Sequence, residues 1–255
     1  MTSSKKSLKR ALATSLLLAI ATVQTFADTI VQTFFVPLPE AQVQSALKNI
    51  YSSTGSTMNG VVSIVATQDN TVIYYDQWEN GYENDLNNPL SIYNASTNKS
   101  GTQIWGDADP SNGYPPELNG STNTAQVDVI TAKDVIALEN NVSLPRNPST
   151  PLYDGRDQFG STRALAVSRA EWATSPGTVL AGAIEVYSVR EYGTSFTSPV
   201  GEDLKTVSDQ MFEYVGMMIM ASENGTSVTL PGGGTISLNK GESYHIDDGV
   251  RAPIP

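Results

Sequence analysis

The chain has 255 residues, of which 39% are hydrophobic and only 16% are charged, so its surface must depend on Ser, Thr, Asn and Gly more than on charge. Its 26 acidic residues outnumber its 15 basic residues, and the net charge of −11 excludes the broad basic surface that nucleic acids and anionic membranes require. The absence of cysteine excludes disulfides, cysteine-based zinc sites and cysteine nucleophiles.

The N-terminus has the pattern of a secretory signal peptide. Basic residues from Lys5 to Arg10 precede an apolar run of 13 residues, 11–23, and a small-x-small cleavage motif ends at Ala27. The run is too short to span a bilayer as a helix, although an uncleaved membrane anchor is the alternative. Removal of residues 1–27 leaves 11 basic and 26 acidic residues, a net charge of −15. We therefore expect a secreted or cell-surface protein whose mature chain does not insert into a membrane.

The mature chain begins with a predicted strand and a predicted helix. Residues 28–36 (DTIVQTFFV) are rich in β-branched and aromatic residues, which favours a strand that ends at Pro37. Val43, Leu47 and Ile50 then follow one another at helical spacing, which predicts a short helix near residues 40–50.

One pattern occurs twice in the rest of the chain. An apolar run is followed by Ala and Thr or Ser, an Asn-containing turn and a β-branched restart, first over 61–76 and again over 212–230. Each copy predicts a buried strand, a tight hairpin and a second strand. The first copy continues into a polar insert, 77–124, of a length that is typical of functional or disordered loops. Further strands are predicted at 126–131, 134–139, 161–169, 178–189, 235–238 and 242–246.

This internal repeat predicts an all-β fold of two related β-sandwich-like units, of the Ig-like or jelly-roll type. The first unit, 28–203, carries the insert, and the second, 204–255, has a turn at 239–242 that matches the turn at 131–134. Because the second copy lacks the strands that close the first, we expect the second unit to be incomplete and the chain to be a fragment of a longer protein. The alternative is one domain in which the second half is a smaller layer.

The sequence contains no motif that names a reaction. Its single histidine, His245, lies in a predicted strand, and the Gly-x-Ser-x-Gly pattern of serine hydrolases is absent. Two carboxylates about 5 to 10 Å apart can hydrolyse a glycoside, and the candidates are the acids within 76–85 and the pair Glu171 and Glu185. Because any acidic extracellular chain offers such pairs, a secreted carbohydrate-active hydrolase is the alternative function, and no catalytic residue is assigned.

The insert combines aromatic rings with hydrogen-bonding side chains. Trp78, Tyr82 and Trp105 lie among many Asn, Gly and Pro residues, and such amphipathic rings suit sugar stacking or protein contact. These three are therefore the predicted ligand-binding residues, and the expected partner is an extracellular protein or a glycan. Since the second copy of the repeated pattern has no such insert, a binding function is expected to lie in this part of the chain.

A later part of the insert is similar to the beginning of a calcium-binding loop. Asp107, Asp109 and Ser111 place oxygen ligands at alternating positions, but Gly113 comes one residue later than in an EF-hand and no flanking helices are predicted. Calcium is therefore a candidate ligand at these three residues. The alternative is a series of Asx turns that are capped by their own side chains.

Several segments together resemble a known type of region, namely VVSIVATQDNTVIYYDQWENGYE, YDGRDQFGST, MFEYVGMMIMASENGTSVTL and LNKGESY. They resemble an uncharacterised all-β region at the N-terminus of large secreted or cell-surface proteins, similar to the N-terminal region of IgG Fc-binding proteins. The resemblance covers 64–244, concerns strands and turns, and implies no catalytic residue. We therefore favour a non-enzymatic extracellular or cell-surface structural or adhesion module that binds protein or glycan.

Overall fold

The structure is a computed structural model that describes residues 29–124, 127–179, 181–197 and 216–246. The predicted signal peptide, the predicted unit boundary at 203/204 and both ends of the predicted second unit lie outside these described residues. The described chain is mostly β-sheet with a single short helix, which confirms an all-β fold. The helix is α1 (Glu40–Ile50), and the strands are β1 (Gln32–Phe35), β2 (Thr57–Ala66), β3 (Ile73–Asp76), β4 (Gln103–Trp105), β5 (Glu117–Leu118), β6 (Ser121–Thr122), β7 (Val135–Ser143), β8 (Gln158–Ser161), β9 (Leu165–Ala173), β10 (Ala181–Glu185), β11 (Met217–Met220), β12 (Thr226–Thr229), β13 (Thr235–Leu238) and β14 (Ser243–Ile246).

Two antiparallel sheets form the larger part of the fold. The four-stranded sheet has the order β1-β8-β3-β4, and the six-stranded sheet has the order β10-β9-β2-β7-β5-β6. Every strand pair within them is antiparallel. Residues 216–246, called the C-terminal segment below, form two further two-stranded sheets, β11 with β14 and β12 with β13.

The two larger sheets share one hydrophobic core. β2 buries every second residue along its length and leaves the residues between them half-buried, which is the pattern of a strand with one face inward. In the other sheet, the ring of Phe159 stacks on Phe34 at 5.0 Å and on Tyr75 at 5.7 Å between ring centroids. One cluster of buried side chains contains these rings together with the inward residues of β2 from 62 to 66.

The helix occupies the predicted residues, but polar side chains hold it in place. Its buried residues are Glu40 and Gln44, whereas Ile50 of the predicted apolar face is 52% exposed. The Gln44 amide donates to the carbonyl of Gly55 at 2.6 Å, and Glu40 forms an ion pair with Arg169 of β9 at 2.7 Å. Helical periodicity therefore located the helix without identifying the contacts that attach it.

The hairpins predicted in both copies of the repeated pattern are wrong. β2 lies in the six-stranded sheet and β3 in the four-stranded sheet, so the chain crosses from one sheet to the other at 67–72. In the second copy, β11 pairs with β14 and β12 pairs with β13. The sequence of a strand, a short turn and a second strand fits a hairpin and a crossing between sheets equally well, because the residues have the same pattern of burial in both.

We call residues 66–72 with the turn 131–134 the first corner, and residues 221–227 with the turn 239–242 the second corner.

The predicted insert, 77–124, belongs to both of the larger sheets. Within it, β4 pairs with β3 and extends the four-stranded sheet, whereas β5 pairs with β7 and extends the six-stranded sheet. Polar side chains hold its turns, as where the Glu83 carboxylate accepts from the N–H groups of Leu90 at 3.1 Å and Ser91 at 2.8 Å. The insert is thus anchored on both sheets.

Two other predicted strands differ from the structure. The strand predicted at 126–131 is not formed by its described residues, 127–131, where buried Asp128 and Ile130 alternate with exposed neighbours in a loop. Among the described residues of the strand predicted at 178–189, only β10 is a strand, and its 5 residues are all exposed at the edge of the six-stranded sheet. Alternation in sequence is therefore not sufficient for a strand, since a loop that runs along a core shows the same pattern.

Candidate functional site

Trp105, one of the three predicted ligand-binding aromatics, is a core residue. It lies in β4, is fully buried and stacks on Tyr75 with ring centroids 4.8 Å apart. Its indole N–H donates to the side-chain oxygen of Gln103 at 3.1 Å. The ring is therefore not available to a ligand, because it is part of the shared hydrophobic core.

Trp78 and Tyr82, the other two predicted aromatics, are half-buried and contact Arg156. The guanidinium carbon of Arg156 lies 4.3 Å from the centroid of the Trp78 ring, and the Tyr82 hydroxyl donates to the Arg156 carbonyl at 2.8 Å. The Trp78 indole also donates to Asp154 Oδ1 at 2.8 Å. Both side chains thus hold the turn 154–157, and their role in ligand binding stays a prediction.

The predicted calcium ligands lie in a loop that is capped by its own side chains. Oδ1 of Asp109 accepts from the backbone N–H of Ser111 at 3.0 Å and from the Ser111 hydroxyl at 2.7 Å. The Asp107 carboxylate accepts from the Asp109 N–H at 2.9 Å and from the Asn112 amide at 2.8 Å. This arrangement is the series of Asx turns that was the alternative reading of the sequence.

Asp128 completes this loop from outside the predicted motif. Its carboxylate accepts from the N–H groups of Gly106 at 2.5 Å and Asp109 at 3.1 Å. Burial, together with the neighbouring Asp107 carboxyl, raises the pKa of Asp128 to about 7. Among the described residues, no group of three or more histidine or acidic side chains is placed to hold a metal ion. Calcium binding at Asp107, Asp109 and Ser111 therefore stays a prediction, and it has no part in the function proposed below.

Glu171 and Glu185 cannot act on one substrate. Glu171 lies opposite Gly182 in the strand pairing, and Glu185 lies opposite Ser168. Because residues 168 and 171 of β9 are an odd number of positions apart, they point to opposite faces of the sheet, and so do the two glutamates. Burial agrees, since Glu171 is 2% exposed and Glu185 is exposed. Glu171 and Glu185 are therefore excluded as the catalytic pair of a hydrolase.

The acids near the start of the insert are used to hold the fold. Asp76 is 1% exposed and accepts from the Glu83 N–H at 2.8 Å, and burial raises the pKa of Asp76 to about 6. Glu79 forms an ion pair with Arg146 and accepts from the Leu152 N–H at 2.9 Å. Both carboxylates are therefore engaged by neighbouring groups of the protein.

Asp154 and Asp157 form a fully buried acidic pair. Arg146 forms an ion pair with Asp154, and the Tyr75 hydroxyl donates to Asp157 at 2.8 Å. Burial raises the pKa of Asp154 to about 7 and that of Asp157 well above its ordinary value, and each negative charge disfavours the other. Perturbed acids can mark a catalytic centre, but a substrate cannot reach a pair that has no exposed surface.

Arg169 ties the helix to the six-stranded sheet. Its guanidinium contacts Glu40 of α1 at 2.7 Å and Glu171 at 3.2 Å. Glu40 also accepts from the Gly155 N–H at 3.0 Å, whereas Oε1 of Glu171 has no hydrogen-bond partner. Burial raises the pKa of Glu171 to about 8 despite the attraction of Arg169, because one guanidinium cannot neutralise two buried carboxylates. Burial therefore favours the protonated form of Glu171.

An open cleft of about 560 Å³ lies between the insert and the loop that follows β7. Tyr93 and Tyr114 line it from the insert, and Tyr153 lines it from the loop. Gln103 of β4 and Asn140 of β7 also line the cleft, so both large sheets contribute to it. The cleft is thus built where the insert joins the two sheets.

The lining of the cleft forms hydrogen bonds and is almost free of charge. The Tyr153 hydroxyl accepts from the Gln103 amide at 3.0 Å. Burial raises the pKa of Tyr153 to about 12, and the hydroxyls of Tyr93 and Tyr114 are among its electrostatic neighbours. Lys99 is the one charged side chain among the described residues of the lining. The cleft therefore offers aromatic rings, donors and acceptors but no carboxylate.

Sequence reasoning placed a binding function in the insert but missed these tyrosines. The residues next to each tyrosine in the sequence could have indicated that its ring lies outside the strands. Tyr114 lies between Gly113 and Pro115, and Tyr93 precedes Asn94, so turn-forming neighbours keep both rings out of regular strands. Trp105, by contrast, lies inside a strand.

No helix within the described ranges is both long and apolar enough to cross a membrane. A scan against protein-family models and searches of curated proteins and of solved structures found no match to the chain. Function is therefore inferred from the cleft and its surroundings.

Proposed function

We propose that the protein is a non-enzymatic extracellular or cell-surface adhesion module that binds a protein or a glycan through the cleft. The observation that carries this proposal is the open cleft of about 560 Å³ that Tyr93, Tyr114 and Tyr153 line. Aromatic rings with polar hydroxyls supply contact area and hydrogen bonds to either class of ligand. Among the acids that a hydrolase would use, Asp76 is buried, Glu79 forms an ion pair with Arg146, and Glu171 and Glu185 lie on opposite faces of a sheet.

Two features of the sequence support export of the protein. The basic residues, apolar run and cleavage motif of residues 1–27 are those of a secretory signal peptide. The polar but weakly charged composition, with 16% charged residues, fits an extracellular β-protein. The proposal places the mature N-terminus at Asp28.

The proposed architecture is two related β-sandwich-like units, of which the second is incomplete. It is supported by the two corners, whose hydrogen bonds correspond although the residues differ. The Ala66 N–H donates to the Asp134 carbonyl as the Ala221 N–H does to the Glu242 carbonyl, both at 2.9 Å. The Lys133 N–H donates to the Ala66 carbonyl as the Gly241 N–H does to the Ala221 carbonyl, both at 2.8 Å. The Thr71 hydroxyl donates to the Gln68 carbonyl as the Thr226 hydroxyl does to the Glu223 carbonyl, both at 2.7 Å. A fourth pair joins Ala132 N–H to Asp69 Oδ1 at 2.8 Å and Lys240 N–H to Asn224 Oδ1 at 3.1 Å.

An array of glycans and extracellular proteins tests the proposed function. Protein purified from the culture medium should begin at Asp28 and should bind a defined set of array components. The double variant Tyr93→Ala/Tyr114→Ala should lose that binding, since it removes two aromatic walls of the cleft. Tyr187→Ala is the matched control, because this tyrosine is 55% exposed and does not line the cleft.

Array binding that is the same in the wild type and the double variant would sink the proposal. So would retention of residues 1–27 on protein that never leaves the cell. Circular dichroism of each variant must match the wild type, so that loss of binding reports on the cleft and not on unfolding.

A further inference from the structure

We infer that the ligand of the cleft is a neutral oligosaccharide, which stacks on Tyr93 and Tyr114 and forms hydrogen bonds with Gln103 and Asn140. The inference rests on the proposed function, which requires only that the cleft binds an extracellular ligand. It narrows that ligand to one chemical class.

The charges around the cleft disfavour an ionic ligand. Lys99 is the one charged residue among the described residues of the lining, and it is exposed. A polyanion would meet this one positive charge on a chain of net charge −11, and a cation would find no carboxylate in the lining. A ligand without charge avoids both costs.

The hydrogen-bonding groups of the lining match sugar hydroxyls. The lining includes the amides of Gln77, Gln103, Asn123 and Asn140 and the hydroxyls of Thr122 and Thr124. Each of these side chains both donates and accepts, and so does a sugar hydroxyl, which can therefore pair with any of them. A peptide would instead require an apolar pocket for an anchor side chain, and Leu152 with two prolines is the aliphatic part of the lining.

Asn140 provides a separate observation at the floor of the cleft. Its amide nitrogen is buried and has no hydrogen-bond partner in the protein. A buried donor without an acceptor is unfavourable, so a ligand oxygen that pairs with this amide supplies a hydrogen bond that protein atoms do not. The oxygen-rich surface of a sugar offers such an acceptor at many positions.

Tyr153 requires little ordering before the cleft binds a ligand. It is fixed by its hydrogen bonds with Gln103 and by edge-on packing against Tyr75, at 5.3 Å between ring centroids. A ring that is already held in place contributes to binding at a low entropic cost. Tyr93 and Tyr114 are half-buried, so part of each ring remains accessible. The volume of about 560 Å³ lies within the usual range of sites for small organic ligands, so a short oligosaccharide fits.

Isothermal titration calorimetry of the purified chain tests this inference. Cellohexaose, chitohexaose and maltohexaose are the neutral probes, hexagalacturonate is the anionic probe, and an array of short unmodified peptides is the third arm. We expect at least one neutral hexaose to bind. Its affinity should change less than about twofold between about 50 and 500 mM sodium chloride, because there is no ligand charge for salt to screen.

Variants separate the contributions of rings and charge. Tyr114→Ala should weaken binding of the neutral hexaose about tenfold, since it removes a stacking surface. Lys99→Gln should change it less than about twofold, because an uncharged ligand has no ion pair to lose. Tyr187→Ala should leave the affinity unchanged. If Tyr114→Ala does not keep the circular dichroism spectrum of the wild type, Tyr93→Ala replaces it.

The outcomes distinguish this inference from the proposed function. Binding of hexagalacturonate that Lys99→Gln removes, or binding of peptides without any neutral sugar, would overturn the inference. The proposed function survives either result, provided that Tyr114→Ala weakens the observed binding. If no sugar, peptide or array component binds in a way that depends on Tyr93 or Tyr114, both fail.

Discussion

The first and second corners make corresponding hydrogen bonds but lie in different surroundings. Each turn has a residue with left-handed backbone, Lys133 at φ 77° and Gly241 at φ 71°. Lys133 is exposed, whereas a Cβ atom at Gly241 would lie 1.8 Å from the hydroxyl oxygen of Tyr82. A left-handed backbone accepts a lysine at modest cost in solvent, but only glycine fits where a neighbouring side chain fills the space. The difference identifies the turn 239–242 of the second corner as docked on another part of the protein and the turn 131–134 of the first corner as exposed.

The second corner docks through hydrogen bonds to the first part of the chain. Arg156 Nε donates to the Gly241 carbonyl at 3.3 Å. Gln42 of α1 donates to the carbonyl of Ser243 at 2.8 Å and accepts from the Ser243 hydroxyl at 3.0 Å. The helix therefore contacts both the six-stranded sheet and the C-terminal segment.

The largest effect is expected when alanine replaces the left-handed residue of each corner. Gly241→Ala should destabilise the C-terminal segment by about 2 to 4 kcal/mol, because the methyl group collides with Tyr82 and the left-handed backbone disfavours alanine. Lys133→Ala, the matched change in the first corner, should cost less than about 1 kcal/mol. Hydrogen exchange of residues 216–246 and of the turn 131–134 measures both. Equal effects at the two positions would refute the contrast between docked and exposed corners.

A smaller, pH-dependent effect is expected at Lys240. Burial raises the pKa of Asp76 to about 6, and the charge of Lys240 opposes that shift by favouring the ionised form. The contribution of Lys240 is therefore present above about pH 6 and is lost as the pH falls through that value. Lys240→Met should destabilise the docked segment by about 1 kcal/mol at pH 8 and by less than half as much at pH 5. Urea denaturation at the two pH values measures the difference.

The counterpart of Lys240 in the first corner provides the control for this prediction. Ala132 occupies the corresponding position and has no charge. Ala132→Met should show the same small effect at both pH values. A pH-independent effect of Lys240→Met would show that contacts other than the attraction to Asp76 account for the whole contribution, namely the hydrogen bond to the Glu83 carbonyl at 3.2 Å and the cation–π contact with Tyr82 at 5.3 Å.

The smallest effect is expected from the threonine that closes each corner. Thr71 is fully buried and Thr226 is half-buried, and each hydroxyl donates to the carbonyl three residues earlier at 2.7 Å. Thr71→Val should cost about 0.5 to 0.8 kcal/mol, because it removes the hydrogen bond to Gln68 at a buried position, and Thr226→Val less than about 0.5 kcal/mol. Urea denaturation with local hydrogen exchange ranks the two, and the reverse order would contradict the difference in surroundings.

Features that depend on local chemistry could be predicted from the sequence. The helix follows Pro39 at the expected residues because its apolar positions recur at helical spacing. The match between the turns 131–134 and 239–242 reappears in their hydrogen bonds, since an acid or amide three to four residues from its donor determines the turn within a short stretch. The all-β fold follows from the same short-range signals.

Features that depend on distant contacts could not be predicted in this way. Arg169 pairs with Glu40, 129 residues away in the chain, and nothing near either residue indicates the other. Trp105 is buried because Tyr75 stacks on it, whereas its position in a polar insert favoured exposure. Tyr93 and Tyr114 line one cleft because both sheets anchor the insert, and that anchoring is a property of strand pairing rather than of residue type.

The position of the cleft between two sheets has a mechanical consequence. Gln103 belongs to the four-stranded sheet and Asn140 to the six-stranded sheet, and both line the cleft. A ligand that contacts both residues adds a polar connection between two sheets whose shared core is apolar. Occupancy of the cleft would then stiffen the protein against shear, and if the proposed adhesion function holds, the contact would withstand more force when its ligand is bound.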